Sequence, residues 1–147
     1  MNDVKIKRIT TLDPLYQSER NLRNEVLLRP IGLPDHAWEM NDYKSWHFVA
    51  VENGKLLGCA VLFPTDEEGT TAQLLQMAIE PDFQGKGIGK RLVFELLAFA
   101  KQQGIKEVTC HSRKYANAFY QKLGFEIYGE DFEEVGIAHN YMSIKIL

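Results

Sequence analysis

Long apolar runs are missing from this sequence, and so is any excess of positive charge. No stretch approaches the roughly 20 apolar residues that a membrane-spanning helix needs, so no membrane partner is expected. Lysine and arginine number 17 against 20 aspartates and glutamates, a formal net charge of -3. General nucleic-acid binding usually rests on a strong basic excess, so no nucleic-acid partner is expected either. The opening residues, Met1-Asn2-Asp3-Val4-Lys5, lack the apolar core of a secretory signal, which makes the cytoplasm the default location. Cysteine is scarce, with Cys59 and Cys110 the two in the chain. Each falls in an apolar, strand-like segment and reads as a small buried residue. No Cys/His spacing suggests a metal site, so no metal is expected. Repeats, low-complexity tracts and linkers are also absent.

What is present suits one domain over residues 1–147. Hydrophobic residues make up 45% and charged residues 25%, ordinary values for a globular protein. Residues 4–9 alternate and read as a first strand. Asp13 and Pro14 make a helix start, with the aspartate as N-cap and the proline at the first helical position. Leu15, Leu22 and Val26 then share a face, up to Arg29-Pro30. Residues 30–44 read as irregular or as a short second helix.

Residues 46–51 and 55–63 read as two strands joined by Asn53-Gly54, a strong hairpin signal. Residues 72–79 supply a third antiparallel strand. The order then changes: strand 72–79, helix 88–103 and strand 107–111 predict a β-α-β unit with parallel strands. In that helix Ile88, Leu92, Val93, Leu96, Phe99 and Ala100 share one face. A last helix is expected over 113–123, with Ala116, Phe119, Tyr120 and Leu123 on one side, and closing strands over 125–128 and 141–146. The expected fold class is α/β, a mixed sheet in which antiparallel N-terminal strands precede a β-α-β unit, with helices on both faces.

The densest signal is Gln84-Gly85-Lys86-Gly87-Ile88-Gly89. A strand, a glycine-rich turn and a helix start in that order make an anion site. Glycines let backbone N–H groups approach a ligand, and the helix start adds unpaired donors and partial positive charge. A P-loop would need G-x-x-x-x-G-K-[ST], but position 84 is Gln and Lys90 is followed by Arg91. A dinucleotide turn would need G-x-G-x-x-G after the first strand, with an acidic residue ending the next strand. Here the glycines are spaced G-x-G-x-G, and Glu107 would begin its strand.

The pattern Q/R-x-x-G-x-G/A fits at Gln84, Gly87 and Gly89. In this turn the chain resembles the GNAT superfamily of N-acetyltransferases. Met77-Ala78-Ile79-Glu80-Pro81 is similar to that family's strand before the loop. Ala116-Asn117-Ala118-Phe119-Tyr120-Gln121-Lys122-Leu123-Gly124-Phe125 is similar to its A-x-x-F-Y-x-x-x-G-F helix and strand. The tail, with Gly136-Ile137-Ala138-His139, resembles a subgroup of small bacterial members. One departure stands out: Arg113 occupies a position where many members carry an asparagine that helps hold the coenzyme.

The resemblance implies a GNAT-like acyl-coenzyme A N-acyltransferase fold and acetyl transfer from acetyl-CoA to a primary amine, by direct attack in a ternary complex. The acceptor would be a small-molecule or peptide amine. A non-catalytic acyl-CoA-binding sensor and a transferase of longer acyl groups are the alternatives. By the same resemblance, Met77, Ala78 and Ile79 would pair their backbone with the pantetheine arm. Gln84, Gly85, Lys86, Gly87, Ile88, Gly89 and Lys90 would receive the pyrophosphate. Arg113, Asn117 and Phe119 would add coenzyme contacts, and Tyr120 would protonate the departing thiolate. Tyr120 also lies on an apolar stripe and serves equally as core. Members often dimerise, so a homodimer is expected.

An acceptor ammonium of pKa about 10.4 must lose a proton near pH 7, which costs about 4–5 kcal/mol. A base is therefore expected, with Glu134 and His139 the leading candidates and Glu133 and His111 behind them. Asp35, Glu39, Asp42, Asp131, Glu133 and Glu134 read either as an acidic rim for a cationic acceptor or as a solvated surface. Trp38 and Trp46 read either as lining for the acceptor cleft or as core.

Overall fold

Residues 3–147, described by a computed structural model, form a seven-stranded mixed sheet with helices on both faces. The strands are β1 (Lys5–Ile9), β2 (Trp46–Glu52), β3 (Lys55–Pro64), β4 (Thr71–Ile79), β5 (Glu107–Arg113), β6 (Glu126–Glu134) and β7 (Ile137–Lys145). Their order in the sheet is β1-β2-β3-β4-β5-β7-β6. Neighbours are antiparallel except β4 and β5, which are parallel and joined by the helix α2 (Ile88–Gln102). The expected mixed α/β layout therefore holds.

Local chemistry explains the junctions. Asn53 and Gly54 both have positive φ, 51° and 79°, the geometry of the tight turn that matches strand twist between β2 and β3. The carboxylate of Asp13 accepts the Leu15 N–H at 2.8 Å at the start of α1 (Leu15–Arg23); the helix begins one residue later than expected, so Pro14 rather than Asp13 is the N-cap. Beyond α1 the chain stays helical but widens into one π turn (Asn24–Leu28) and then a 3-10 turn (Arg29–Ile31). The wide turn pushes Val26 and Leu27 toward the open end of the sheet.

Two apolar layers enclose the sheet. On one face α2 buries Ile88, Leu92, Val93 and Leu96 against Leu57, Leu62, Leu74 and Val108. α3 (Asn117–Lys122) joins this layer through Tyr120, followed by Phe125. On the other face α1 presents Leu22 to Val49, Cys59 and Ala78. Both cysteines are free and buried, and burial pushes the Cys110 thiol up to about 12. Neither is available as a thiolate near neutral pH.

Two further expectations change, and one open alternative is decided. The last helix does not begin at Arg113; β5 continues through Arg113, and a 3-10 turn (Lys114–Ala116) precedes α3. The closing strands are much longer than 125–128 and 141–146. β6 and β7 form one hairpin whose turn, Val135-Gly136, has positive φ at both residues. The acidic sequence of β6 concealed it, because both its faces are largely exposed and no apolar alternation marks them. An aromatic ladder carries the pairing instead: Phe132 stacks on Tyr141 at 4.1 Å and Tyr128 on Tyr141 at 5.6 Å. Finally, Trp46 is not a cleft residue; its ring packs edge-on against Phe99 in the α2 layer.

Candidate active site

Two features of β4 open the sheet. β3 pairs Val61 with Gln76 and Leu62 with Leu74, so Leu75 is an extra residue, a bulge that bends the strand. On the other side β4 pairs with β5 from Thr71–Glu107 to Leu74–Cys110. Both strands continue, β4 to Ile79 and β5 to Arg113, without pairing further. They splay. Glu80 donates its N–H to the Leu57 carbonyl of β3 at 2.8 Å. Antiparallel alternation then turns the N–H of Ala78 toward β3 as well, and those of Met77 and Ile79 toward the gap. The gap is a free strand edge on which an extended ligand arm can add.

The glycine turn closes one end of that gap. Gly85 and Gly87 have φ of 77° and 86°, which a residue with a Cβ adopts only with strain. Gly87 is the N-cap of α2, and no side chain caps the helix. Its first N–H groups therefore remain available to an anion, reinforced by the helix's partial positive charge. The Gln84 side-chain amide donates to the Ile79 carbonyl at 3.0 Å and staples the loop to β4. A Cβ on Gly89 would lie 3.4 Å from the Phe119 ring and 3.7 Å from the Met77 terminal methyl, so the glycine lets α2 approach both.

A groove of about 650 Å³ follows these elements, with Met77, Ala78, Ile79, Gln84, Gly85, Gly87, Ile88, Gly89, Lys90, Arg113 and Phe119 among its lining residues. Of the expected coenzyme residues, Asn117 and Lys86 do not line it. Asn117 donates instead to the Asn140 side-chain oxygen at 2.8 Å, drawn there because α3 starts four residues later than expected. Lys86 is exposed, its ammonium 5.3 Å from the centre of the Phe83 ring. Arg91, the next cation along α2, donates to the Val4 carbonyl at 2.8 Å.

Next to the groove lies a chamber of about 130 Å³, where β4 and β5 part. Met77, Arg113 and Tyr115 line both spaces. Tyr120 reaches the chamber from α3, its residue 7% exposed and its ring edge-on to Phe119 and Phe125. Burial pushes its pKa well above the ordinary phenol value, so the hydroxyl stays protonated and is a donor.

Three side chains from β5 and the β6–β7 hairpin face this chamber together. One Glu134 oxygen accepts a hydrogen bond from His111 Nδ1 at 2.9 Å, and the other lies 3.9 Å from His139 Nε2. His139 Nδ1 sits 2.7 Å from the Ile137 carbonyl, which can only accept. The proton is thus fixed on Nδ1, and in the neutral ring Nε2 carries a free lone pair. Glu133 lies on the same strand but does not line the chamber.

Beyond the chamber an outer pocket of about 290 Å³ is walled by Trp38, Met40, Gln73, Leu75, His111 and Glu134, among others. The anticipated acidic rim is mostly neutralised. Asp35 pairs with Arg29 at 2.7 Å, Glu39 with Arg20 at 2.9 Å and Asp131 with Lys114 at 2.5 Å. Asp42 is buried under Arg23. Glu134 is the carboxylate that faces the pocket.

The sequence reading missed the support beneath Trp38. Glu19, Arg23, Asp42 and His47 are all buried and form one ionic cluster between α1 and β2. His47 Nδ1 lies 2.8 Å from Glu19, and Nε2 donates to the Asp42 carbonyl at 2.7 Å. Both ring nitrogens face acceptors, so the ring is an imidazolium. Burial opposes that charge, but Glu19 and the Asp42 carbonyl outweigh it and hold the pKa above the ordinary value. Arg23 donates to the Trp38 carbonyl at 3.0 Å, and Gln76 of β4 donates to the same oxygen at 2.9 Å. The loop that carries Trp38 is thus clamped to both α1 and β4. A signal was available: Glu19 and Arg23 fall on the same helical stripe as Leu15, Leu22 and Val26.

Comparison with known proteins gives matches over most of the chain. The model of the acetyltransferase (GNAT) family matches residues 12–125. An uncharacterized protein of Bacillus subtilis (strain 168), YyaT, is 36% identical over 78 residues, 53% of each chain. The chain spans between 41% and 63% of the lengths of the curated relatives it matches. Among solved structures, a putative N-acetyltransferase from Lactobacillus plantarum superposes with a TM-score of 0.84 at 18% identity, covering 99% of this chain and 100% of the other. An aminoglycoside 6'-N-acetyltransferase complexed with coenzyme A gives 0.81 at 18% identity, over 97% of each. At such identities the superpositions establish a shared fold.

Proposed function

The chain belongs to the acetyltransferase (GNAT) family, and on that premise we propose that it transfers the acetyl group of acetyl-coenzyme A to a primary amine. The observation that carries this reading is the splay of β4 from β5, with uncapped helix donors at one end and a buried phenol beside a histidine–carboxylate pair at the other. The groove suits a long anionic thioester. Its glycine turn and α2 N-terminus match a pyrophosphate, and its free strand edge matches an amide-bearing arm.

The reaction is direct attack in a ternary complex. The thioester supplies an electrophilic carbonyl carbon and a stable thiolate leaving group. An N–H turned into the gap, from Met77 or Ile79, polarises the carbonyl oxygen as charge develops on it. His139 Nε2 takes the proton from the attacking amine, and Glu134 steadies the resulting imidazolium. The C–N bond forms, the C–S bond breaks, and Tyr120 donates its proton to the sulfur. An acceptor that arrives as an ammonium gives up two protons by way of His139: one goes to solvent and the other returns the phenolate to phenol, so the cycle closes without another reactant. Arg113, between groove and chamber, sits where it can meet a phosphate or steer the arm.

The test is release of free thiol from acetyl-coenzyme A across a panel of amines, with the acetylated product identified by mass spectrometry. Amine-dependent release supports acetyl transfer. Tight coenzyme binding with no release on any amine would instead make the protein an acyl-coenzyme A-binding module.

A further inference from the structure

The outer pocket carries information about the acceptor that the shared coenzyme half does not. No lysine or arginine is among its lining residues, and its one carboxylate is Glu134. Of the arginines around it, Arg20 and Arg23 are engaged by Glu39, Glu19 and Asp42, and Arg29 by Asp35, while Arg113 stands on the coenzyme side, in the chamber and groove, 3.3 Å from the Tyr115 hydroxyl. His111 also lines it, its Nδ1 already bonded to Glu134 at 2.9 Å, and the walls are otherwise apolar at Trp38, Met40, Leu75 and Val135 and amide-bearing at Asn41, Gln73 and Gln76. The Trp38 wall is fixed rather than loose, because two donors hold its carbonyl.

We infer that the acceptor is a primary amine with no anionic group close to it, borne on an uncharged and largely apolar body that packs against Trp38. This deepens the reading of the site as an amine acetyltransferase and rests on it. Two charges decide the preference. An ammonium entering the pocket meets Glu134, and the apolar body covers Trp38 and Leu75. A carboxylate carried on the pocket side of the amine would lie near Glu134, with no lysine or arginine among the pocket's lining residues to offset it. At separations of a few ångströms and an effective dielectric of about 20, that repulsion corresponds to at least about a tenfold loss. Free α-amino acids are therefore poor acceptors, whereas the corresponding decarboxylated amines are good ones.

The experiment compares matched pairs, tyramine with tyrosine and tryptamine with tryptophan, as acceptors at fixed acetyl-coenzyme A, with thiol release as the readout. The expected kcat/KM is at least about tenfold higher for each amine than for its amino acid. A second arm repeats the comparison with Gln73→Arg, which places a cation in the pocket. The ratio is expected to move toward the amino acid, and because it is a ratio it cancels differences in amine basicity. Wild-type ratios near or below one overturn the inference, as does a ratio unmoved by Gln73→Arg. Coenzyme binding by calorimetry separates the two levels. Binding without release on the four acceptors overturns the inference alone when other amines of the panel give release, and the transfer reading with it when none does, while release that favours the amino acids overturns the inference alone.

Discussion

Replacing Gly87 with alanine isolates the role of the glycine turn. Gly87 has a φ of 86° and no neighbouring atom within 4 Å of a built Cβ, so the substitution adds backbone strain without a clash. A residue with a Cβ in that conformation costs about 1–2 kcal/mol. Gly54, in the β2–β3 turn, has a φ of 79° and is equally open. Gly54→Ala therefore carries the same strain at a site remote from the groove. Each variant is expected to lose about 1–2 kcal/mol of unfolding free energy, or less where the turn relaxes. Only Gly87→Ala is expected to weaken coenzyme binding. If its turn relaxes out of the left-handed region, the α2 donors move off the phosphates, and restoring them on binding costs the strain that was relieved. About 1–2 kcal/mol corresponds to a Kd raised about 5–30-fold. Chemical denaturation and calorimetry with coenzyme A measure the two quantities. Unchanged affinity in Gly87→Ala, when its unfolding free energy falls by clearly less than that of Gly54→Ala and so shows its turn relaxed, would refute the turn as a pyrophosphate cradle.

Four further outcomes follow from the chamber and the buried cluster. Tyr120→Phe is expected to lower kcat about a hundredfold, the low end for a general acid, because a thiolate of pKa about 8.5 leaves readily; coenzyme affinity should hold, and an unchanged kcat under chemistry-limited conditions removes the tyrosine from the mechanism. His139→Gln is expected to lower kcat/KM most at neutral pH, with the deficit narrowing as pH rises and more acceptor is already deprotonated; a deficit constant with pH would argue for a structural role. Arg23→Ala strands Glu19 and Asp42 without their cation and should cost about 3–5 kcal/mol in denaturant unfolding, and a loss below about 1 kcal/mol would contradict the buried cluster. His47 in the same cluster has a raised pKa, so its stabilisation is complete below the unfolded value of about 6.5 and fades as pH rises through the folded one; Tm should fall above neutral pH, and His47→Gln should flatten that fall.

The sheet, the β4–α2–β5 unit and the glycine turn were legible because each has a strong local signature. Period-two strands, Asn53-Gly54 and the Ile88–Ala100 stripe leave little freedom. The groove proposed for the coenzyme was legible for the same reason, since backbone and glycines build it. The acceptor half was not. Its wall comes from the β6–β7 hairpin, whose acidic, two-sided exposure hides the strand pattern, and from residues 32–45, which have no periodicity. The Glu19–Arg23–Asp42–His47 cluster was invisible as a unit because its members meet only in the folded chain. The acidic rim failed for a related reason: sequence counts carboxylates but does not show which are already paired.

The most direct test of the central claim is a crystal structure with acetyl-coenzyme A bound. The account predicts the pyrophosphate on the N–H groups of residues 85–89, the pantetheine arm along Met77–Ile79, and the Tyr120 hydroxyl within hydrogen-bond reach of the thioester sulfur. A coenzyme seated away from the α2 N-terminus, or a sulfur remote from Tyr120, would contradict it.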